Sequence, residues 1–494
     1  MPRNLLAATV GALAILSAAP ALAAPPPMSQ SALEMAAANP AVRAFYQRTN
    51  WRAAWEPQDE RALRAALADA DRHAIDGKVY LRKLDAASSP AAREAALTEA
   101  ALSYGHALAF GLVNPESLFG LYTIDRSAGD LQGGLAAALA KNNVGDWIAS
   151  LAPRDAEYRA LSRAYVEAVA RSGGAAPAPI PAGGLIRPGV SDPRVPAIAE
   201  ALARRGYEGE TNGTVWTKSL ADALSRFQSD SGIAPDGIVG PHALGALNAD
   251  ASDRARQLAV NLERRRWLSR NPGQRRVDVN IAASFLEYWR GGEIVDRRRV
   301  VNGKPDTPTP QLGSTMTRLV VNPPWNVPSK IARNEILPKG RGYLSSHNMY
   351  IQDGRVVQRP GPNSALGLVK FDLDNHYAIY LHDTPSKSFF ESAERHRSHG
   401  CVRVQDALGF ARMLAGEDGK SEEFEADLAS GKTSTVNIGN IPVRLLYHTA
   451  YLDASGAVAF APDDYGLDDK VATALGMGEG MRASPKVAAG DVGP

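Results

Sequence analysis

The sequence predicts a multidomain α+β protein with three folded parts. These are a helical N-terminal domain, a small three-helix module, and a mainly-β C-terminal domain with a capping loop. Three observations carry this. Apolar residues recur at helical spacing through residues 31–170. A Gly/Pro/Ala-rich run over 172–189 then breaks all regular pattern and reads as a linker. From about residue 273 the apolar period changes to two, the mark of strands with one buried face. With 494 residues and about 100–200 residues per domain, about three domains fit the chain.

The first segment has the form of an export signal. Arg3 supplies a short positive region, Leu5 to Leu16 is apolar but too short for a stable span, and Ala21-Leu22-Ala23 is a small-x-small cleavage site. Residues 1–23 are therefore expected to be removed after Ala23, with an uncleaved anchor as the alternative, and the mature protein is expected in the periplasm. Residues 24–30 read as a flexible leader. The helical domain then occupies 24–171, with Leu63, Leu67 and Ala70 on one helical face and Leu97, Ala101, Tyr104 and Leu108 on another. His73 and His106 are read as ordinary histidines.

The module spans 190–250. Ile198 and Leu202 belong to one helix. Leu220, Leu224 and Phe227 recur at i, i+4 and i+7 of a second, and Leu244 and Leu247 mark a third. A connecting helix follows within 251–272, with Leu258, Leu262 and Trp267. The β domain is expected over 273–450. Val277, Val279 and Ile281 alternate with polar positions, Gly291-Gly292 turns the chain, and a second strand lies near Ile294–Val301. Strands are expected to about 448, interrupted by one helix near 406–415 with Asp406 as its N-cap. Residues 451–494 form a C-terminal extension, and 465–494 read as a frayed tail.

Composition narrows the function. Apolar residues are 45% and charged residues 22%, a globular balance. The net charge of +2 gives no one-sign field for nucleic acid, and the Arg runs at 264–266, 275–276 and 297–299 read as solvated faces. No apolar stretch after residue 30 is long enough to span a membrane. There is one cysteine, Cys401, so an internal disulfide and any multi-cysteine metal site are excluded. A lone thiol in an exported protein is either buried and inert or kept for its reactivity.

The neighbours of Cys401 decide between these. Ser398, His399 and Gly400 precede it, Val402 and Arg403 follow, and His382 lies nineteen residues before it. Nucleophilic catalysis by cysteine needs a base, a group that orients the base, and donors for the developing oxyanion. If residues 376–382 form a strand, Ala378, Tyr380 and His382 share a face and His382 ends beside a Pro-terminated turn. His382 is then the base, held at its other nitrogen by backbone near Asp383-Thr384. Gly400 permits a sharp turn that points the amides of Gly400 and Cys401 at one spot. Three rivals stand beside this reading. Zinc could be held by His382, His396, His399 and Cys401, although their spacing is irregular and His399 and Cys401 are nearly adjacent. Cys401 could be a core residue. His399 could be structural, packing the loop or holding Arg403.

The spaced His382 followed by Ser398-His399-Gly400-Cys401-Val402-Arg403 resembles the catalytic signature of the L,D-transpeptidases, which build or remodel bacterial peptidoglycan. The resemblance extends to Asn261-Leu262-Glu263-Arg264-Arg265-Arg266-Trp267-Leu268, similar to the connecting helix of the large periplasmic members. It also includes Asn322-Pro323-Pro324-Trp325-Asn326-Val327-Pro328 and the capping stretch, about 335–372, through Pro360–Gly367 and Val369-Lys370-Phe371. Residues 24–171 resemble the family's helical scaffold domain. Residues 190–250 resemble its peptidoglycan-binding module, through Phe227-Gln228, a Gly232 turn and Asp236-Gly237-Ile238-Val239-Gly240. Ser364 departs from the pattern, standing where an Asn is expected before Ala-Leu-Gly.

The resemblance implies an L,D-transpeptidase-like β-sandwich with Cys401 as nucleophile, His382 as base and the amides of Gly400 and Cys401 as oxyanion hole. It implies that His399, Arg403, Tyr380, Trp325 and Ser398 bind or orient substrate. The expected partners are peptidoglycan stem peptides and glycan strands, carbapenems are expected inhibitors, and no cofactor or metal is expected. The implied reaction is 3→3 cross-linking with release of D-Ala. An L,D-carboxypeptidase, attachment of a protein to the wall, and a non-catalytic wall-binding scaffold are the alternatives.

Overall fold

The computed structural model describes residues 28–478, apart from 174–177, 232, 234 and 393. The segment read as an export signal, the Gly232 turn and the residues after 478 lie outside the described residues. The N-terminal domain is built around the helix Pro90–Phe110. Ser89 caps it by accepting from Ala92 N–H, and Pro90 starts it without losing a needed donor. Alanines and leucines lie on all its sides because neighbours cover it all round. Among them are Pro40–Arg48, Lys78–Asp85, Leu131–Leu139 and Val144–Leu151. The helix stops at Gly111, whose φ is +87°. A Cβ there would sit 2.5 Å from Glu263 Oε1 of the connecting helix, so only glycine lets the two elements meet.

The connecting helix Ala251–Trp267 corrects one expectation. Arg264–Arg266 are not a solvated face. A helix advances about 100° per residue, so three consecutive arginines point in three different directions and meet three different sets of partners. Arg264 is buried against Asp468 of the C-terminal segment. Arg265 reaches Asp155 at 2.7 Å and Glu157 at 2.5 Å in the helical domain. Arg266 is buried against Glu263 at 2.6 Å and donates to the His73 carbonyl at 2.7 Å. The other runs are paired too: Arg275 with Asp418 (2.8 Å), Arg276 with Asp278 (2.8 Å), Arg297 with Glu287 (2.6 Å) and Arg299 with Glu391.

The small module has helices Val195–Ala203, Lys218–Asp230 and Pro241–Asn248 around Trp216, Leu224 and Phe227. Gln228 shapes the following turn. Its side chain donates to Asp236 Oδ1 (2.8 Å) and accepts from Gly237 N–H (2.9 Å). The run read as a linker is shorter than expected, because Ile180 and Ile186 are buried in this core and Ile186 pairs with Val239.

The C-terminal half contains β1 (Arg276–Asn280), β2 (Phe285–Arg290), β3 (Glu293–Gly303), β4 (Leu312–Val321), β5 (Trp325–Asn326), β6 (Met349–Gln352), β7 (Arg355–Gln358), β8 (Val369–Leu373), β9 (Leu381–His382), β10 (His396–Ser398), β11 (Val402–Val404) and β12 (Ser434–Leu446). Nine of these form one sheet in the order β10-β3-β11-β9-β8-β4-β12-β1-β2, folded on itself so that β3 also pairs with β2. Val277, Leu319, Phe371, Leu381, Val402 and Val443 fill its core. Two helices cover the sheet where one was expected. Ala407–Glu417 inserts Phe410 and Leu414, and Ser421–Ser430 inserts Phe424. The cap is a separate small body. Its three strands run β5-β7-β6, and helical turns between Ser329 and Ser346 pack on them through Val327, Ile336, Leu344 and Val356. The expected capping stretch ran to 372, but residues 369–373 are β8 of the main sheet.

The C-terminal extension is also corrected. β13 (Ala450–Leu452) and β14 (Val458–Phe460) form a hairpin, and the helix Leu467–Ala474 lies where fraying was expected. Asp463 accepts from the amides of Leu467 and Asp468, which starts this helix, and Val471 and Ala472 are buried. Asp468 holds Arg264 and accepts from Thr449 Oγ1 at 2.7 Å. Replacing Asp468 by Ala leaves Arg264 buried without a carboxylate, a loss of roughly 3–5 kcal/mol. A clear downward shift in thermal melting of the full chain is the expected result, and an unchanged melt would refute it. No helix among the described residues is long and apolar enough to cross a membrane.

Candidate active site

The site is assembled by sheet register. β11 runs parallel to β9, with Val402 beside Leu381 and Arg403 beside His382. β8 runs antiparallel to β9, with Lys370 beside His382 and Phe371 beside Leu381. Side chains paired across a sheet share a face, and alternate residues change face. Leu381, Val402 and Phe371 therefore enter the core, while His382, Arg403 and Lys370 share the opposite face. One step earlier in the register, Val402 N–H donates to the Tyr380 carbonyl at 3.1 Å, which brings Cys401 beside Tyr380.

β9 is shorter than expected. Asn375 ties the preceding turn, accepting from Tyr377 N–H (2.9 Å) and donating to the Ile379 carbonyl (2.8 Å). Ala378 adopts a φ of +55° in that turn, so its side chain does not continue the Tyr380/His382 face. Its carbonyl instead accepts from the Cys401 thiol at 3.7 Å.

Cys401 is half-buried. Its sulfur faces the Tyr380 side chain, and Tyr380 in turn faces Trp325 of the cap. Burial pushes the thiol pKa up. Tyr380 and the charges of Lys370 and Arg403 oppose that rise. His382 is buried and lies diagonally across the face, its ring 5.7 Å from that of Tyr380. Its Nδ1–H donates to the Asp383 carbonyl at 2.5 Å, leaving Nε2 as the proton acceptor. Burial, followed by the Arg403 charge, lowers the imidazole pKa to about 3. Burial thus favours the neutral thiol and the neutral imidazole at rest.

The loop into Cys401 differs from expectation. Gly400 has a φ of +116°, but its N–H donates to Ser398 Oγ at 3.1 Å, so this amide is already engaged. Its carbonyl accepts from Thr309 Oγ1 at 2.9 Å. Ser398 is 2% exposed and donates to the Cys401 carbonyl at 2.6 Å. It braces the loop from beneath and is too buried to touch substrate. His399 does not hold Arg403; its Nε2 meets Glu335 of the cap at 2.8 Å. The zinc reading that joined His382, His396, His399 and Cys401 also fails, because His396 turns to Asp464 and Glu394 and His399 turns to Glu335.

Arg403 stacks over the Phe389 ring at 5.7 Å, and its buried Nε has no hydrogen-bond partner among the described residues. Lys370 pairs with Asp372 at 2.8 Å and lies 5.0 Å from the Tyr380 ring centre. Lys370 was not singled out from the sequence as a site residue. The alternation Val369-Lys370-Phe371-Asp372-Leu373 was the available signal, since it sends Lys370 and Asp372 to the cleft face. Thr309 and Glu335 carried no such signal.

Comparisons with known proteins give the chain's likenesses domain by domain. Residues 274–438 match the family model described as an L,D-transpeptidase catalytic domain. Residues 40–164 match a scaffold domain, and residues 191–247 match a "putative peptidoglycan binding domain". A curated relative from Haemophilus influenzae, named "Putative L,D-transpeptidase", is 34% identical over 246 residues, which is 44% of this chain and 50% of that protein. The chain thus matches half the length of that relative. Among solved structures, the L,D-transpeptidase from Mycobacterium smegmatis is 16% identical over 35% of this chain and 59% of its own, with a TM-score of 0.21. That from Xylanimonas cellulosilytica is 17% identical over 54% of this chain and 99% of its own, with a TM-score of 0.20. Likenesses of that size carry no weight for function.

Proposed function

We propose, for a chain whose catalytic domain belongs to the L,D-transpeptidase family, that Cys401 carries out a two-step acyl transfer on peptidoglycan stem peptides in the periplasm. In the first step Sγ attacks the carbonyl of the third stem residue while His382 Nε2 takes the thiol proton. The amide bond to the terminal D-Ala breaks, His382 returns the proton to the leaving amine, and a thioester remains. In the second step an amine of a neighbouring stem attacks the thioester and releases the thiol, giving a 3→3 cross-link. Splitting one amide exchange into two easier steps is what the covalent intermediate achieves.

The observation that supports this reading best is the shared face. A partly exposed cysteine, an imidazole with its acceptor nitrogen bare, and the cations of Arg403 and Lys370 share one face of the sheet. The cations suit the carboxylates of a stem peptide. The Cys401 amide is the oxyanion donor in this account, with the Tyr380 hydroxyl beside the sulfur. The cap, joined to the site through Trp325 and through Glu335–His399, would keep water from the thioester and favour the amine. The small module holds the enzyme to glycan.

Mass spectrometry of products from a purified tetrapeptide decides among the readings. Cross-linked dimers support transpeptidation, tripeptide alone makes the protein an L,D-carboxypeptidase, and neither product leaves the wall-binding scaffold. Carbapenems, as mimics of the acyl donor, should add to Cys401. One covalent adduct per chain by intact mass is expected with the wild type and none with Cys401→Ala.

A further inference from the structure

Away from the cleft, four ionisable side chains from three parts of the chain converge. His242 comes from the helix Pro241–Asn248 of the small module, Glu394 and His396 from the segment entering β10, and Asp464 from the C-terminal segment. His242 Nε2 lies 2.9 Å from Asp464 Oδ1 and 3.9 Å from Glu394 Oε2. His396 Nδ1 lies 3.0 Å from Asp464 Oδ2 and 3.3 Å from Glu394 Oε1. One ligand atom each from His242, Glu394 and Asp464 all lie within 4.8 Å of one another.

Three properties of this cluster point to a cation. The first is size. Zinc binds nitrogen and oxygen ligands at about 2.0–2.2 Å, so the edges of its tetrahedron are about 3.3–3.6 Å, and His242 with one oxygen each of Glu394 and Asp464 forms a set that a small shift closes to that size. The second is charge. Two carboxylates facing two imidazoles are neutral only if both imidazoles carry an extra proton; one divalent cation replaces both protons. The third is orientation. His396 Nε2–H donates to the Ile281 carbonyl at 2.9 Å, so in the neutral ring the Nδ1 lone pair faces the carboxylates. The backbone carbonyl fixes the ring, and the ring in turn orients the two carboxylates, as an outer-shell partner of a metal ligand does.

We propose that His242, Glu394 and Asp464 bind one zinc-class divalent cation, which staples the small module to the catalytic domain while His396 holds the second oxygen of each carboxylate. The site is separate from the Cys401 cleft. Its role is structural: it joins the module, the C-terminal segment and the strand that runs into Ser398–Cys401.

The test uses full-length protein carrying Cys401→Ser, which removes the thiol as a competing zinc ligand, after treatment with a chelator and its removal. Titration with zinc chloride, followed by calorimetry and metal analysis, should give one zinc per chain and a higher melting temperature. His242→Ala should weaken zinc binding by at least about tenfold and abolish the melting shift. Asp464→Asn should do the same. If Asp464→Asn does not fold, His242→Ala decides, because His242 lies at the module surface. Substoichiometric zinc in the parent, or undiminished affinity in His242→Ala, overturns the proposal. Neither readout depends on cross-linking activity.

Discussion

Cys401→Ala should eliminate both cross-linked dimer and tripeptide, lowering turnover by roughly 10³-fold or more while glycan binding by the small module is retained. The size of the effect follows from the site. Among the described residues there is no second thiol, and the hydroxyls nearest the reacting position cannot substitute. Ser398 is buried and spent on the Cys401 carbonyl, and burial keeps the Tyr380 phenol protonated and unreactive. Stability should barely change, because the half-buried side chain fills no core position. Turnover that survives in this variant, measured on defined tetrapeptide by mass spectrometry, would move the chemistry elsewhere.

The second large effect concerns His382. With its imidazole held down to about 3, the base is neutral through the physiological range, and it loses its acceptor role only as pH falls through that low value. The thiol, pushed up by burial, is protonated over the same range. Wild-type kcat/KM should therefore vary by less than about twofold between pH 5.5 and 7.5. An inflection near the ordinary imidazole value of about 6.5 would contradict this. His382→Gln should cost roughly 10²- to 10⁴-fold at neutral pH. The variant relies on thiolate formed without help, so its rate should climb about tenfold per pH unit below the thiol pKa. The gap between wild type and variant therefore narrows as pH rises. A constant ratio would assign His382 a purely structural part.

Much of this site was legible in the residues. One cysteine, placed after Ser-His-Gly and preceded by a spaced histidine, marked the chemistry before any fold was known. The alternation through Tyr380 and His382 predicted their common face, and sheet register put Arg403 on it too. The loop was harder to read. A glycine before a nucleophile says that the backbone turns but not where its amide points, and the Ser398 hydroxyl captures that amide three-dimensionally. The arginine runs misled for a related reason. Charge along a chain is one-dimensional, whereas the carboxylate that buries Arg264 lies 204 residues away. The C-terminal segment read as frayed because its composition is polar, yet those polar groups are the partners of buried arginines and histidines.

The period of apolar residues, the Gly/Pro run and the local signature around Cys401 gave the domain order, the element types and the candidate nucleophile, because each depends on neighbours a few residues apart. The partnerships across the fold came from packing alone. Register between β9 and β11, the grip of Glu335 on His399, and the meeting of His242 with Asp464 join residues far apart in sequence. Such pairings depend on how whole elements stack, and no local pattern of side chains encodes them.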